Sequence, residues 1–315
     1  MVDGLGRQEL LSRTQVDDAE WNACVAACCG GSAGYMHTAY LDAVAPGWSA
    51  LQFADGGRFP IWPRGWGPLR QYRQPWFVQH LSVLTPDGMN KPSAGILAHS
   101  MANARLGVLK GACLLEFQVD EAPPDARQMP DGWQVIARTT YRLLIDPESA
   151  RAGYSAHHRR LIRPMDGLQF VQSNDSESFL RLFVSQVAGK ARLSAQQIRA
   201  LSRLLKVLLG NQNAALWTLM GDRELLCGCV LLRSGDRLVY QFAGSSRAAL
   251  HMGGMHRLVD HILHRPEYGG LTLDFEGSDL PGLQRFYAGF GARPHPYSRW
   301  LLDARHPILK HLQRI

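Results

Sequence analysis

Residues 271–300 read LTLDFEGSDLPGLQRFYAGFGARPHPYSRW, and their reading decides the fold. Gly269-Gly270 turns the chain into a short apolar strand at 271–275, with Asp274 and Glu276 two residues apart at its far end. Pro281 suits the first turn of a helix that runs to Phe290, and Gly291 stops it. A last strand is expected near 298–302. Strand, helix and strand in this order belong to a sheet with parallel neighbours and a helical crossover.

The residues before this unit predict an antiparallel meander. Strands at 215–220, 225–233 and 237–243 are separated by the turns Gly221-Asp222 and Ser234-Gly235-Asp236. A glycine-containing loop then enters a helix at 255–265. Upstream lie amphipathic helices at 179–188 and 194–209 and a basic, helical stretch at 151–164. The first half repeats the pattern. A helix at 17–29 carries Trp21, Val25 and Cys28 at helical spacing behind the acidic pair Asp17–Asp18, and Gly30, Gly31 and Gly34 end it. A short helix at 38–45 stops at Pro46. Strands follow at 49–54, 58–64 and 76–84, then a helix at 93–106, then strands at 112–119 and 133–145, with Asp146-Pro147 closing the half. The fold class is α/β, an α+β arrangement on a mixed sheet, antiparallel first and parallel later. It forms two domains, 1–148 and 149–315, with similar element order.

The 315 residues are 46% hydrophobic and 19% charged, an ordinary globular balance with room for two cores. The formal net charge of +7 suits an anionic partner such as a pyrophosphate, a tRNA or a membrane surface, or is a basic surface with no such role. Residues 1–15 mix Asp3, Arg7, Glu9 and Arg13 with apolar residues and do not form a leader, and no apolar run approaches the ~18 residues of a membrane span. Cys24, Cys28, Cys29, Cys113, Cys227 and Cys229 lack zinc-type spacing and read as reduced, buried thiols, so a cytoplasmic location and no metal are expected. His251 and His256 are five apart, which is not a metal-binding spacing on a helix. Walker, HExxH, GxSxG and EF-hand patterns are absent.

The stretch 271–300, with Phe286, Tyr287 and Gly291 as its FY-x-x-x-G portion, resembles the last strand-helix-strand of the GNAT acyl-CoA N-acyltransferases. Its DFEGS piece is also similar to the Fem-type peptidoglycan aminoacyltransferases, which carry two GNAT-like domains. GYSAHHRRLIR at 153–163 resembles the basic helix at their domain junction, and RQPWFVQHLSVL at 73–84 a strand of their first domain. The resemblance implies tandem GNAT-like domains, the first degenerate and the second holding the site. It implies acyl-CoA as co-substrate and a small-molecule or peptide amine as acceptor. The alternatives are an aminoacyl-tRNA donor, as in the Fem type, and a ligand-binding protein without catalysis on the same fold. GSSRAALHMGGM at 244–255 stands where a GNAT loop carries Gly-x-Gly or Gly-x-Ala.

Three groups of residues are candidates for the chemistry. A helix starting at Gly253-Gly254 offers backbone N–H groups to a pyrophosphate, with Ser245, Ser246, Arg247, His251 and Arg257 adding donors; the same glycines also suit a plain strand-to-helix turn. Tyr287 is placed to protonate a leaving thiolate, or packs beside Phe286 and Phe290. Asp274 or Glu276 would take the amine's proton, or else cap the next helix or pair with Arg257 or Arg285; Ser278 or Asp279 caps that helix in any case. Arg159, Arg160 and Arg163 form a basic face for an acidic substrate or for solvent. Trp62, Trp66, Tyr72 and Trp76 favour core and loop packing over base stacking.

Overall fold

The computed structural model describes residues 8–27, 33–86, 93–125, 127, 129–188, 193–210, 213–277 and 280–305. In chain order the elements of the first part are β1 (Gln8–Ser12), α1 (Asp18–Ala27), α2 (Thr38–Val44), β2 (Ser49–Phe53), β3 (Arg58–Arg64), β4 (Gln71–Arg73), α3 (Ala94–Leu106), β5 (Leu114–Val119) and β6 (Trp133–Leu144). There follow α4 (Ala156–Leu161), β7 (Leu168–Ser173), α5 (Ser176–Phe183), α6 (Ala195–Leu209), β8 (Ala214–Gly221), β9 (Glu224–Ser234) and β10 (Arg237–Ser245). The chain ends with α7 (Arg247–His251), α8 (Gly254–Leu263), β11 (Thr272–Asp274), α9 (Pro281–Gly289) and β12 (Arg293–Asp303).

Two compact units result. One runs through Arg138 and takes the chain back from Pro296 onward; the other is Thr139–His295. The expected boundary at 148/149 is therefore displaced. It misses that β6 carries its last residues, Arg142–Leu144, into the second unit beside β11. It also misses that β12 pairs Ser298–Asp303 antiparallel with Val119–Leu114 in the first.

The first unit orders its strands β1-β2-β3-β4-β5-β12. The first four are antiparallel, β4 and β5 are parallel, and β12 is antiparallel to β5. Asp17 starts α1 by accepting the Glu20 N–H at 2.8 Å, and Trp21, Cys24 and Val25 are its buried face. Trp21 then packs on Trp48 with ring centroids 4.8 Å apart. The expected strand at 76–84 is not one. Phe77 takes φ of 59°, and its carbonyl accepts the Tyr40 hydroxyl at 2.5 Å, so the segment starts with a bend; it then meets the sheet at the Arg58–Leu84 bridge and through the Leu81 N–H, which donates to the Gln118 carbonyl. The strand in that place is β4, just upstream. Cys28, Cys29, Gly30 and Gly31 lie outside the described residues.

The second unit orders its strands β7-β8-β9-β10-β11-β6 and repeats the scheme: antiparallel through β10, parallel between β10 and β11, antiparallel to β6. The expected mixed sheet is thus present in both units. β1 and β7, which open the two meanders, were not anticipated, and the helix expected at 151–164 is confined to α4. Ser194 and Gln197 form a capping box on α6, which buries Leu201, Leu204, Leu205 and Leu208 at 3–4 residue spacing. Each of these leucines contributes roughly 1.5–3 kcal/mol. β9 is covered on both faces. There Cys227 and Cys229 are fully buried, and burial pushes the Cys227 thiol up to about 12. No described helix is long and apolar enough to cross a membrane.

Candidate functional site

β10 and β11 pair only through Arg237↔Thr272, Leu238↔Leu273 and Val239↔Asp274. Beyond that point β10 continues for six residues while β11 ends, and the space between them is a cavity of about 600 Å³. Its walls come from β10 (Tyr240, Gln241, Ala243, Ser245), from the α7–α8 turn (Leu250, Gly253, Met255) and from α9 (Leu283, Phe286, Tyr287). A register shift in β10 between Tyr240 and Phe242 lets the successive residues Tyr240 and Gln241 both reach it. The lining is mostly apolar, with four groups able to exchange a proton: Tyr240, Tyr287, His256 and Glu276.

Tyr287 is buried and stacks on Phe275, centroids 4.6 Å apart. Burial, and then the charge of Glu276, hold its phenol above the usual range, so it keeps its proton. Burial does the same for Tyr240. Glu276 follows β11 with φ of 56°, a left-handed conformation that is costly for a glutamate. Gly277 follows with φ of 66°, and a Cβ there would fall on the Thr139 carbonyl. The two left-handed residues end the strand abruptly, so Glu276 is on the cavity wall and Asp274 is not.

Asp274 is 1% exposed, and its carboxylate is fully engaged. Oδ1 accepts the Thr140 hydroxyl at 2.5 Å and the Glu276 N–H at 3.0 Å, and Oδ2 accepts Arg142 Nε at 2.8 Å, with Arg237 at 3.7 Å. It fixes β6, β10 and β11 together and does not reach the cavity. Its partner is Arg142, not Arg257 or Arg285. Ser278 and Asp279 lie outside the described residues.

His256 lies on the cavity wall between polar neighbours. Its ring is 4.5 Å from that of His158 and 6.1 Å from His157. Burial, then the two histidines, push it down to about 4, so the imidazole is neutral near pH 7. His158 is a structural histidine. Its Nε2 faces the Phe286 carbonyl at 2.9 Å, which requires a proton there, and Nδ1 then accepts the Ser155 hydroxyl at 3.0 Å. Among the described residues no group of three or more His, Cys, Asp or Glu side chains is placed to hold a metal ion.

The pyrophosphate residues expected from the sequence divide. Ser245 and Gly253 line the cavity and Gly254 starts α8 beside it. Gly253 needs its φ of 70°, and Cβ atoms at Gly253 and Gly254 would crowd Leu161 and Ala249 at 3.1 and 3.0 Å, so packing explains both glycines. Ser246 is spent as the cap of α7, accepting the Ala249 N–H. Arg247 and His251 are exposed on α7, off the cavity wall. Arg257 is buried on the other side of α8, where Nε donates to the Met252 carbonyl at 3.2 Å and Nη1 to the Arg163 carbonyl; it holds main chain and does not face the cavity. Arg159 and Arg160 are exposed on α4, where they bond the Ala152 carbonyl and His157, and Arg163 lies past its end; none lines the cavity.

Residues 148–282 match the family described as Acetyltransferase (GNAT) domain. The second unit is a GNAT domain. No curated protein matches the chain. Among solved structures, FemX superposes with a TM-score of 0.62 over 97% of this chain and 99% of its own, at 13% identity. The C-terminal domain of a putative lysylphosphatidylglycerol synthetase from Agrobacterium fabrum gives 0.58 over 95% and 96%, at 14% identity. A tandem GNAT protein from the clavulanic acid biosynthesis pathway gives 0.54 over 95% and 99%, at 15% identity. At these identities the likeness establishes the fold, which is the tandem GNAT-like fold expected from residues 73–84, 153–163 and 271–300 together. Of the residues on the cavity wall, the sequence pattern singles out Tyr287 and Glu276. It does not single out Tyr240, Gln241 or His256, because the bulge that turns the first two inward leaves no mark in the residue pattern.

Proposed function

We propose that the GNAT domain transfers an acyl group from a CoA thioester to an amine. The family match supports acyl transfer as the reaction class. The observation that carries the finer reading is the cavity where β10 and β11 part, with Tyr287 and Glu276 both on its wall. Glu276 is the only charged side chain among the described lining residues, which favours a cationic acceptor over an anionic one. The apolar walls suit an acyl chain and the pantetheine arm. The donor's phosphates would lie toward the start of α8, where the N–H groups of Gly254 and Met255 and the exposed Arg247 are nearest.

In this mechanism Glu276 takes a proton from the bound ammonium, and the free amine attacks the thioester carbonyl carbon. The tetrahedral intermediate gives the remaining extra proton on nitrogen to water and collapses with cleavage of the C–S bond, and Glu276 then releases to solvent the proton it took. Tyr287 gives its phenolic proton to the departing sulfur and regains one from solvent. Burial keeps Tyr287 protonated before each turnover but also makes it a weaker acid, so donation relies on the same apolar surroundings raising the proton affinity of the departing thiolate. His256 is a neutral donor or acceptor that can orient the amine.

The test is release of free thiol from acyl-CoA donors of increasing chain length against a panel of amines, with Ala243→Trp filling the cavity as control. Amine-dependent thiol release that the control abolishes supports the proposal. Tight CoA binding without turnover on any amine would leave a binding protein. An aminoacyl-tRNA donor is the second reading, favoured by the exposed Arg159, Arg160 and Arg163 of the same unit, which suit a phosphodiester backbone. It predicts tRNA binding that weakens steeply with salt.

A further inference from the structure

The cavity of the second unit opens at a rim of exposed apolar side chains. Leu250 on α7 is 60% exposed, and Leu280 and Leu283 at the start of α9 are 64% and 40% exposed. All three line the cavity, so they are one rim and not leucines scattered singly over the surface. Leu283 stands one helical turn before Tyr287, and the apolar wall of α9 therefore runs from the rim to the buried phenol. Cations stand beside the rim. Arg247, Leu250 and His251 are three and four residues apart on α7 and are exposed together. Arg160 on α4 bonds His157, whose ring lies 6.1 Å from that of the wall residue His256. Among the described residues no carboxylate pairs with Arg247 or Arg160.

A pantetheine arm must pass this rim to bring a thioester to Tyr287. On CoA the arm ends in a nucleotide rich in phosphate. The start of α8 and Arg247 suit one phosphate, but the other groups expected for a nucleotide are engaged elsewhere. Ser246 caps α7, Arg257 holds main-chain carbonyls, and packing explains Gly253 and Gly254. Exposed leucines contribute nothing to a phosphate. On a carrier protein the same arm hangs from a serine through a single phosphodiester, and the surface around that serine is helical, apolar and acidic. Exposed leucines edged by arginines complement such a surface in both shape of contact and charge. The end of a tRNA would bring phosphates and bases to the mouth, which call for basic and aromatic side chains and not for leucines.

We propose that the acyl group arrives as a thioester on the phosphopantetheine arm of a small acidic carrier protein, which docks on Leu250, Leu280 and Leu283 with its carboxylates toward Arg247 and Arg160. This rests on the acyl-transfer reading and names the carrier of the thioester within it. The arm and its acyl group enter the cavity of about 600 Å³, and the body of the carrier stays outside. The chemistry at the thioester is unchanged. The N–C bond forms, the C–S bond breaks, and the carrier departs with a free thiol that has taken the Tyr287 proton.

Thiol release from one octanoyl group presented on CoA, on pantetheine and on the acyl carrier protein of fatty-acid synthesis, with the same panel of amines, tests this. kcat/KM should be at least about tenfold higher on the carrier than on CoA, and the advantage should shrink as salt rises. Arg247→Glu and Leu250→Asp should each lower the carrier value at least about tenfold, the effect of a central interface residue. They should lower the pantetheine value much less, since pantetheine brings no protein surface to dock. Thermal unfolding verifies that these variants, both at exposed positions, are folded. Calorimetric titration of the full chain with the carrier bearing its unacylated arm reads docking without turnover, and Leu250→Asp should weaken that binding. Equal or better use of CoA, a carrier preference undiminished in both variants, or no binding of the carrier overturns the proposal and leaves the acyl-transfer reading in place. No transfer from any of the three thioesters overturns that reading instead, and the titration then decides the docking alone: binding weakened by Leu250→Asp supports it, and no binding overturns it.

Discussion

The imidazole of His158 occupies the space that a Cβ on Gly289 would fill. Both ring nitrogens are bonded, one to Ser155 and one to the Phe286 carbonyl, so the ring cannot swing aside, and α9 is drawn against α4 at this point. Helix propensity favours Gly289→Ala by about 1 kcal/mol, but the clash should dominate. The variant should lose about 1–3 kcal/mol in urea unfolding. In a His158→Ala background the same substitution should cost much less; a cycle with no coupling would show that something other than this contact sets the spacing.

Tyr287→Phe should lower kcat by about 10²-fold or more, the range for loss of a general acid, and change KM for the acyl donor only a few-fold. Steady-state kinetics with a thiol readout separate the two. Unchanged turnover would remove Tyr287 from the mechanism.

Glu276 combines a chemical assignment with a strained backbone. Glu276→Ala and Glu276→Gly should both abolish amine-dependent transfer. The glycine variant should be the more stable of the two, by about 1 kcal/mol, because only alanine keeps the cost of the left-handed conformation. Reversed order in chemical denaturation would mean that the strain is relieved elsewhere.

Asp274→Ala removes a buried carboxylate from Thr140, Arg142 and the Glu276 N–H at once. A loss of about 3–5 kcal/mol is expected, read as a lower urea midpoint. Glu276 would also lose its positioning bond, so activity should fall with stability, whereas a direct proton-transfer role would abolish activity in fully folded protein.

His256 makes stability depend on pH. Its folded pKa of about 4 lies below the unfolded value near 6.5, so between these values the unfolded chain binds more protons. The contribution is therefore present above pH 6.5 and is lost as pH falls toward 4. At 1.36 kcal/mol per pH unit the upper bound is about 3 kcal/mol, and for a half-buried ring solvent screening leaves about 1 kcal/mol. His158, lowered for the same reason of burial, adds in the same direction. The melting temperature should drop over this window, and His256→Asn should flatten the drop; an unchanged profile would assign it to other groups.

The elements on either side of the site were legible because each has its own local signal. Glycine and aspartate turns separate β8, β9 and β10, Pro281 and Gly291 bracket α9, and the leucine spacing of α6 declares a buried face. What escaped reading depends on contacts distant in sequence. Asp274 looked like a base because two-residue alternation put it with Glu276, but Thr140 and Arg142, more than 130 residues upstream, capture it. Arg257 looked like a phosphate ligand by proximity to Gly253-Gly254, but its own helix turns it toward main-chain carbonyls. The first unit's Trp62 read as a packing residue; only the register shows that it and Arg64 share a face with Arg73 and Gln71.

The placement of β12 bears on how the protein is made. Its pairing partner β5 leaves the ribosome some 180 residues earlier, so the sheet of the first unit waits at an open edge while the whole second unit is synthesised. An unpaired edge held that long is a template for wrong partners. Premature termination after Gly291 would therefore injure the first unit most, although every residue lost lies beyond the second unit's helices. A chaperone-bound nascent chain, or a slow final folding phase set by capture of β12, is the expected signature in the cell.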